Sequence, residues 1–158
     1  MKVWIVSLFD NLPHEGFRRQ RYWMMAEAFA AEGHEVLYWT GDFNHGTKAR
    51  RKCGEYPSKG IEVKILPVDA YGRNVCIRRL ISHIRFAGRL AKAMKGAFSP
   101  DLVVAATPPL SVALAAMKAA RRHGAKFVVD IQDLWPETFV RILPRVLRPF
   151  SKVIFLPM

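Results

Sequence analysis

The sequence predicts an α/β domain on a doubly wound parallel sheet, and three observations carry that prediction. Strand-like and helix-like patterns alternate along the chain. The strand-like stretches are near-continuous runs of Val, Ile, Leu and Phe, as strands covered on both faces require. The helix-like stretches keep an apolar side at the 3.6-residue period. The 158 residues suffice for one domain with a core of its own, since a chain of this length buries roughly two thirds of its unfolded surface.

Residues 2–9 (KVWIVSLF) form the first strand-like run. Residues 16–33 then place Tyr22, Met25, Ala26, Phe29 and Ala30 on one helical face before Gly33, which suits a C-terminal cap. Residues 34–40 give a second strand. The polar, glycine-bearing and basic residues 41–60 are longer than an ordinary connection, so a functional or mobile loop is expected there. Residues 61–68 alternate as a third strand. Residues 74–98 set Ile77, Ile81, Ile84, Gly88, Ala91 and Met94 on one side of a helix and Arg78, Ser82, Arg85, Arg89 and Lys92 on another, a basic amphipathic pattern. Residues 101–107 are a fourth strand, residues 108–124 a helix with proline near its start and Gly124 after it, and residues 126–131 a fifth strand. Ligands of such sheets bind at the carboxyl ends of the strands, so the tips after Phe9, Thr40, Thr107 and Ile131 are expected to share one rim. At the end of the chain, Arg141, Arg145, Arg148 and Lys152 would make a helical stripe interrupted by Pro144 and Pro149, followed by a final apolar run. Residues 1–140 are therefore read as the domain and residues 141–158 as a truncated apolar and basic segment.

Twenty-five Lys and Arg against 13 Asp and Glu give a net charge of +12, enough to draw polyanions to the surface of any fold. Residues 72–100 hold no acid but carry Arg73, Arg78, Arg79, Arg85, Arg89, Lys92 and Lys95, which favours an anionic membrane face or a phosphorylated substrate over nucleic acid. No nucleic-acid motif and no stacking face of aromatic residues accompanies the charge. Residues 1–20 have no signal-peptide pattern and no apolar run is long enough to span a bilayer, so a cytoplasmic location is expected. Cys53 and Cys76 lack metal or redox spacing and read as two free thiols.

The dinucleotide fingerprint, the P-loop, the nucleophile elbow and paired metal ligands are all missing from the sequence, which argues against a nicotinamide dehydrogenase. Gly16, between the first strand and the first helix, allows close backbone approach to a ligand, and Arg18, Arg19 and Arg21 add positive charge to a helix start that attracts anions. A plain turn with solvated arginines fits the same residues. The stretch VVDIQDLWPETF, residues 128–139, brings Asp130 and Asp133 to a strand tip. Asp133 there is either a base or hydroxyl anchor beside an apolar Trp135 wall, or the cap of a helix that Pro136 opens and Glu137 stabilises.

In order along the chain, HEG before a helix, AEAFAAEGHEVLYWT, PDLVVAATPPLSVALAA and KFVVDIQDLWPE resemble the N-terminal domain of the family 4 retaining glycosyltransferases of the GT-B fold. The subgroup most similar to it is the bacterial enzymes with a DLWPE motif that build surface polysaccharides on lipid carriers. The resemblance implies a Rossmann-like sheet forming one half of an enzyme: the acceptor-side domain, with the nucleotide sugar held by a C-terminal domain or a separate donor-binding subunit, and an isolated chain without activity. It assigns Glu15 and Gly16 to the donor phosphates or transferred sugar, and Gln132 and Asp133 to the reacting sugar with Asp133 as the catalytic residue. Arg18, Thr107, Trp135 and Glu137 complete the implied substrate-binding set. Two positions depart from the family pattern: Gln132 stands where many members carry His, and one glycine stands where two or three are common.

The implied co-substrate is a nucleotide sugar, with no cofactor and no metal, and the implied acceptor is a saccharide or lipid-linked glycan. The basic helix of residues 74–98 would then lie on the inner face of the cytoplasmic membrane. A non-catalytic membrane-surface adaptor, or one subunit of a split glycosyltransferase, is the alternative.

Overall fold

The computed structural model describes residues 1–15, 18–51, 54–58, 60–72 and 76–132. Gly16, Cys53, Asp133, Trp135, Glu137 and the segment 141–158 lie outside the described residues, as does the domain boundary expected at residue 140. The strands β1 (Lys2–Val6), β2 (Glu35–Gly41), β3 (Gly54–Ser58), β4 (Ile61–Leu66), β5 (Leu102–Thr107) and β6 (Lys126–Ile131) join in the order β3-β4-β2-β1-β5-β6. Five of them run parallel, and β3 pairs antiparallel with β4. This is the Rossmann-like α/β sheet expected from the alternating sequence pattern.

Alternate residues of β1 feed two cores. Val3 and Ile5 join Tyr22, Trp23 and Ala26 of α1 (Arg21–Ala31) on one face. Trp4 and Val6 join Phe86 and Leu90 of α2 (Ile77–Ala93) and Ala116 of α3 (Leu110–His123) on the other. The period of two in a strand makes this division obligatory, and covering both faces keeps Val3, Trp4, Ile5 and Val6 from water. Burying a side chain as large as Phe86 contributes about 2–3 kcal/mol. Gly33 ends α1 at φ 77° and Gly124 ends α3 at φ 66°, the left-handed conformation that glycine adopts without steric cost. Gly41 serves a different need, because a Cβ there would stand 2.4 Å from Val68 Cγ2 and 2.7 Å from Leu8 Cδ1.

Four features differ from the sequence expectations. The stretch 41–60 is not wholly loop, since β3 lies within it. GEYPS lacks apolar alternation because β3 is an edge strand, and Pro57 is tolerated there because only one side of the strand is paired. The first helix opens at Arg21 rather than residue 16.

In α2 the buried side is Ser82, His83, Phe86, Ala87 and Leu90, whereas Ile77, Ile81 and Ile84 are 78%, 44% and 50% exposed. Polar contacts fix that rotation: Ser82 Oγ donates to the Asp69 carbonyl at 2.6 Å, and Arg85 and Arg89 hold the Asp69 carboxylate at 2.9 and 2.8 Å. Of the expected apolar side, Met94 is fully buried. Finally, β6 is not covered on both faces among the described residues: Val128, Val129 and Ile131 are exposed on the outer strand, whose partner among those residues is β5.

Candidate functional site

Parallel pairing puts the carboxyl ends of β1, β2, β4, β5 and β6 on one rim. The strand order reverses between β1 and β5, the crevice where sheets of this kind hold ligands. Three side-chain clusters occupy this rim.

The first is built around Arg51, which immediately precedes the residues leading into β3 and has a side chain only 3% exposed. Its Nε donates to Glu15 Oε1 at 2.7 Å, one terminal nitrogen donates to Thr40 Oγ1 at 3.2 Å and to the Gly41 carbonyl at 3.0 Å, and the other donates to the Asp10 carbonyl. Glu15 Oε2 accepts the Leu12 N–H at 2.7 Å, so both of its oxygens are engaged. Beside this knot, Asp10 Oδ2 accepts from the Tyr38 hydroxyl at 3.2 Å and the Tyr22 N–H at 3.3 Å. Burial raises the Asp10 carboxyl above the usual range despite these donors, and burial pushes the Tyr38 phenol well above its ordinary value. Asp42 completes the region: its Oδ1 accepts the Val68 N–H at 2.6 Å and its Oδ2 accepts from Arg50 at 2.6 Å.

The second cluster joins α1 to the end of β6. Asp130 Oδ2 accepts from Arg21 at 2.7 Å and from the Tyr22 hydroxyl at 2.8 Å. These two hydrogen bonds, Arg21 first, hold the Asp130 carboxyl below its usual range. Gln132 Nε2 donates to the Tyr22 oxygen at 3.1 Å, so donors run from Gln132 through Tyr22 to Asp130. Thr107 is buried at the end of β5, and its carbonyl accepts the Gln132 N–H at 3.2 Å. Asp130 keeps 27% of its side-chain surface exposed, which leaves it open to a further hydroxyl donor.

The third cluster lies on the α2–α3 side. The Phe9 ring packs 5.1 Å from His45 and 5.5 Å from His83, with the Arg79 guanidinium 5.5 Å above the same ring. His45 Nδ1 lies 2.8 Å from the Tyr71 hydroxyl. Burial, reinforced by the charge of Arg79, lowers His45 to about 4 and His83 to about 3, so both imidazoles are neutral at physiological pH.

The structure places Thr107 beside Gln132, and it sets Glu15 beside the tips of β1 and β2 as the partner of Arg51. Arg18 is exposed at the approach to α1. The sequence reading missed Asp10, Tyr22, Arg51 and His83 as site residues. Asp10 carried a signal, being a carboxylate at the end of the first strand. Arg51 carried none, because its partners lie up to 41 residues away. Among the described residues no group of three or more His, Cys, Asp or Glu could hold a metal ion, and no helix is long and apolar enough to cross a membrane.

The sequence model of the family described as "Glycosyl transferase 4-like domain" matches residues 19–155. No curated protein matches the chain. Among solved structures, the C-terminal domain of a hydrogenase from Pyrococcus furiosus aligns with a TM-score of 0.50 at 12% identity, covering 82% of this chain and 89% of that one. At that identity the likeness concerns the fold alone.

Proposed function

The chain belongs to the family of glycosyl transferase 4-like domains, and from that membership we propose that it is the acceptor-side domain of a nucleotide-sugar-dependent glycosyltransferase. Its product is a bacterial surface polysaccharide or a lipid-linked glycan, and a donor-binding domain or subunit completes the enzyme. The observation that carries this reading is the second rim cluster. Gln132, Tyr22 and Asp130 form an ordered row of hydrogen-bonding groups that suits sugar hydroxyls, and Asp133 follows it directly in the sequence. In this reading Asp133 anchors or deprotonates the acceptor hydroxyl. Glu15, Gly16, Arg18, Thr107, Gln132, Trp135 and Glu137 shape the substrate surface. The domain contributes proximity, holding the acceptor hydroxyl in line with the sugar and keeping water away. The nucleotide sugar is a co-substrate and no other cofactor is assigned.

The test is a transfer assay with a nucleotide sugar and a lipid-linked acceptor, using the chain alone and the chain combined with a donor-binding partner. Turnover is expected only for the combination, and Asp133→Ala is expected to abolish it with the fold intact by circular dichroism. Robust turnover by the chain alone overturns the half-enzyme reading, and full activity of Asp133→Ala reduces that residue to a helix cap.

A membrane-surface role is favoured by α2, where Ile77, Ile81 and Ile84 are exposed alongside Arg78, Arg85 and Lys92. Each cation near an anionic surface contributes about 1 kcal/mol. In this reading the chain lies at the inner face of the cytoplasmic membrane, and salt-dependent pelleting with anionic liposomes is the measurement that tests the contact. Liposome binding without transfer in any combination selects the adaptor reading, and a preference for random DNA overturns both.

A further inference from the structure

Doubly wound sheets commonly hold an anion at the turn between the first strand and the first helix, where backbone N–H groups of the turn and of the helix start converge. In this chain those donors are spent on its own side chains. The Asn11 N–H donates to Gln20 Oε1 at 2.8 Å, the Leu12 N–H to Glu15 Oε2 at 2.7 Å, and the Tyr22 N–H, in the first turn of α1, to Asp10 Oδ2 at 3.3 Å. Two of these acceptors are carboxylates. Both are held inside, Asp10 being 7% exposed and the Glu15 side chain 14% exposed, so neither is a surface group that swings away freely. The buried cation beside them does not invite an anion either, because Arg51 already donates to Glu15, Thr40, Gly41 and the Asp10 carbonyl.

Tyr22 closes the same place from the other side. While its N–H meets Asp10, its hydroxyl donates to Asp130 at 2.8 Å and accepts from Gln132 at 3.1 Å, so this buried residue reaches from the loop after β1 to the end of β6. Arg21, next to it, is engaged with Asp130. A phosphate entering the turn would have to displace a carboxylate from its N–H partner or stand beside it in a low-dielectric setting, where like charges repel strongly. Burial raises the Asp10 carboxyl, yet its oxygen takes the Tyr22 N–H with or without a proton, so the turn stays occupied in either form.

We propose that Asp10 and Glu15 are specificity-determining residues that fill, from within the chain, the place of a phosphate at the first strand–helix turn and so exclude anions from it. The exclusion stands on this geometry. Its meaning for the reaction rests on the acceptor-side reading: of the two roles that the resemblance implies for Glu15, contact with the donor phosphates or with the transferred sugar, the second is left.

The experiment titrates the ¹⁵N-labelled full chain with inorganic pyrophosphate and follows the backbone amides of Asn11, Leu12 and Tyr22, with the amides of α2 reporting attraction to the basic surface. In the parent protein the three turn amides are expected to stay in place. Glu15→Ala frees the Leu12 N–H and Asp10→Ala frees the Tyr22 N–H. Each variant is expected to show a saturable shift of the freed amide and to bind pyrophosphate about tenfold more tightly than the parent, the effect of one new charge-assisted hydrogen bond. The variants act on different donors and the parent titration needs neither, so the test holds if one of them fails to fold.

A saturable shift of the turn amides in the parent overturns the exclusion. A folded variant whose freed amide ignores pyrophosphate overturns the role of the carboxylate removed. No sugar transfer is measured, so a failed titration leaves the glycosyltransferase reading standing, and a failed transfer assay leaves the exclusion standing.

Discussion

Two regions at the same rim treat buried polar groups in opposite ways. Arg51 enters the interior with four acceptors waiting, from Glu15, Thr40, Gly41 and Asp10. His83, on α2, enters with its Nε2 unmatched among the described residues. Satisfied groups in a low-dielectric interior lock the elements that supply them. Unsatisfied ones cost stability until something binds. The Arg51 region therefore reads as a structural knot tying the segment before β3 to the tips of β1 and β2, and the His83 region as one that leaves a buried polar atom unpaired among the described residues.

The same operation, removing the polar group, should act with opposite sign in the two regions. Arg51→Met is expected to cost about 3 kcal/mol, because it leaves the largely buried Glu15 carboxylate without its cation. Urea unfolding measures it, and a loss below about 1 kcal/mol would mean that the pair behaves like an exposed one. His83→Leu is expected to raise stability by about 1 kcal/mol by removing an unpaired buried atom. Its effect should also grow in acid. The folded imidazole titrates near 3 against an ordinary 6.5, so the unfolded chain takes up the proton first as pH falls through 6.5, and the native protein loses stability that His83→Leu keeps. A stability difference between His83→Leu and the parent that is no larger at pH 5 than at pH 7 contradicts this.

The smallest effect sharpens the knot itself. Asp10 is an acid whose carboxyl is raised by burial, so the folded state holds its proton to higher pH than the unfolded state, and its contribution is lost as pH rises through the folded value. Asp10→Asn, which keeps an oxygen to accept from Tyr38 and Tyr22, should be more stable than the parent at pH 7, with the gain gone at pH 3. Thermal melts at the two pH values read it directly. A gain at pH 3 equal to that at pH 7 would mean that the carboxylate is not strained by burial.

Much of the fold was legible because burial imprints itself locally. The apolar runs at Val3–Val6 and Val103–Ala106 could only be covered strands, and Gly33 and Gly124 marked helix ends because no other residue takes that backbone conformation freely. The edge strand β3 was missed since it is paired by backbone alone on one side and needs no apolar alternation. The facing of α2 was misjudged for a related reason. Ile77, Ile81 and Ile84 have the spacing of a core stripe, yet Ser82 and the arginines that hold Asp69 turn a different stripe inward. At the rim, Thr107 ends β5 and Gln132 follows β6, positions that the apolar runs mark in the sequence. The roles of Arg51 and Tyr22 were not legible, because their partners lie as far as 41 and 110 residues away.

The sequence by itself determined the class of fold, the rim formed by the strand ends and the basic character of the surface, since hydrophobic period, glycine position and charge are properties of short stretches. Only the tertiary structure decided which charges are matched and which polar atom is left unpaired among the described residues. Those are relations between residues distant in the chain, and their energies depend on the burial that only the packed molecule provides.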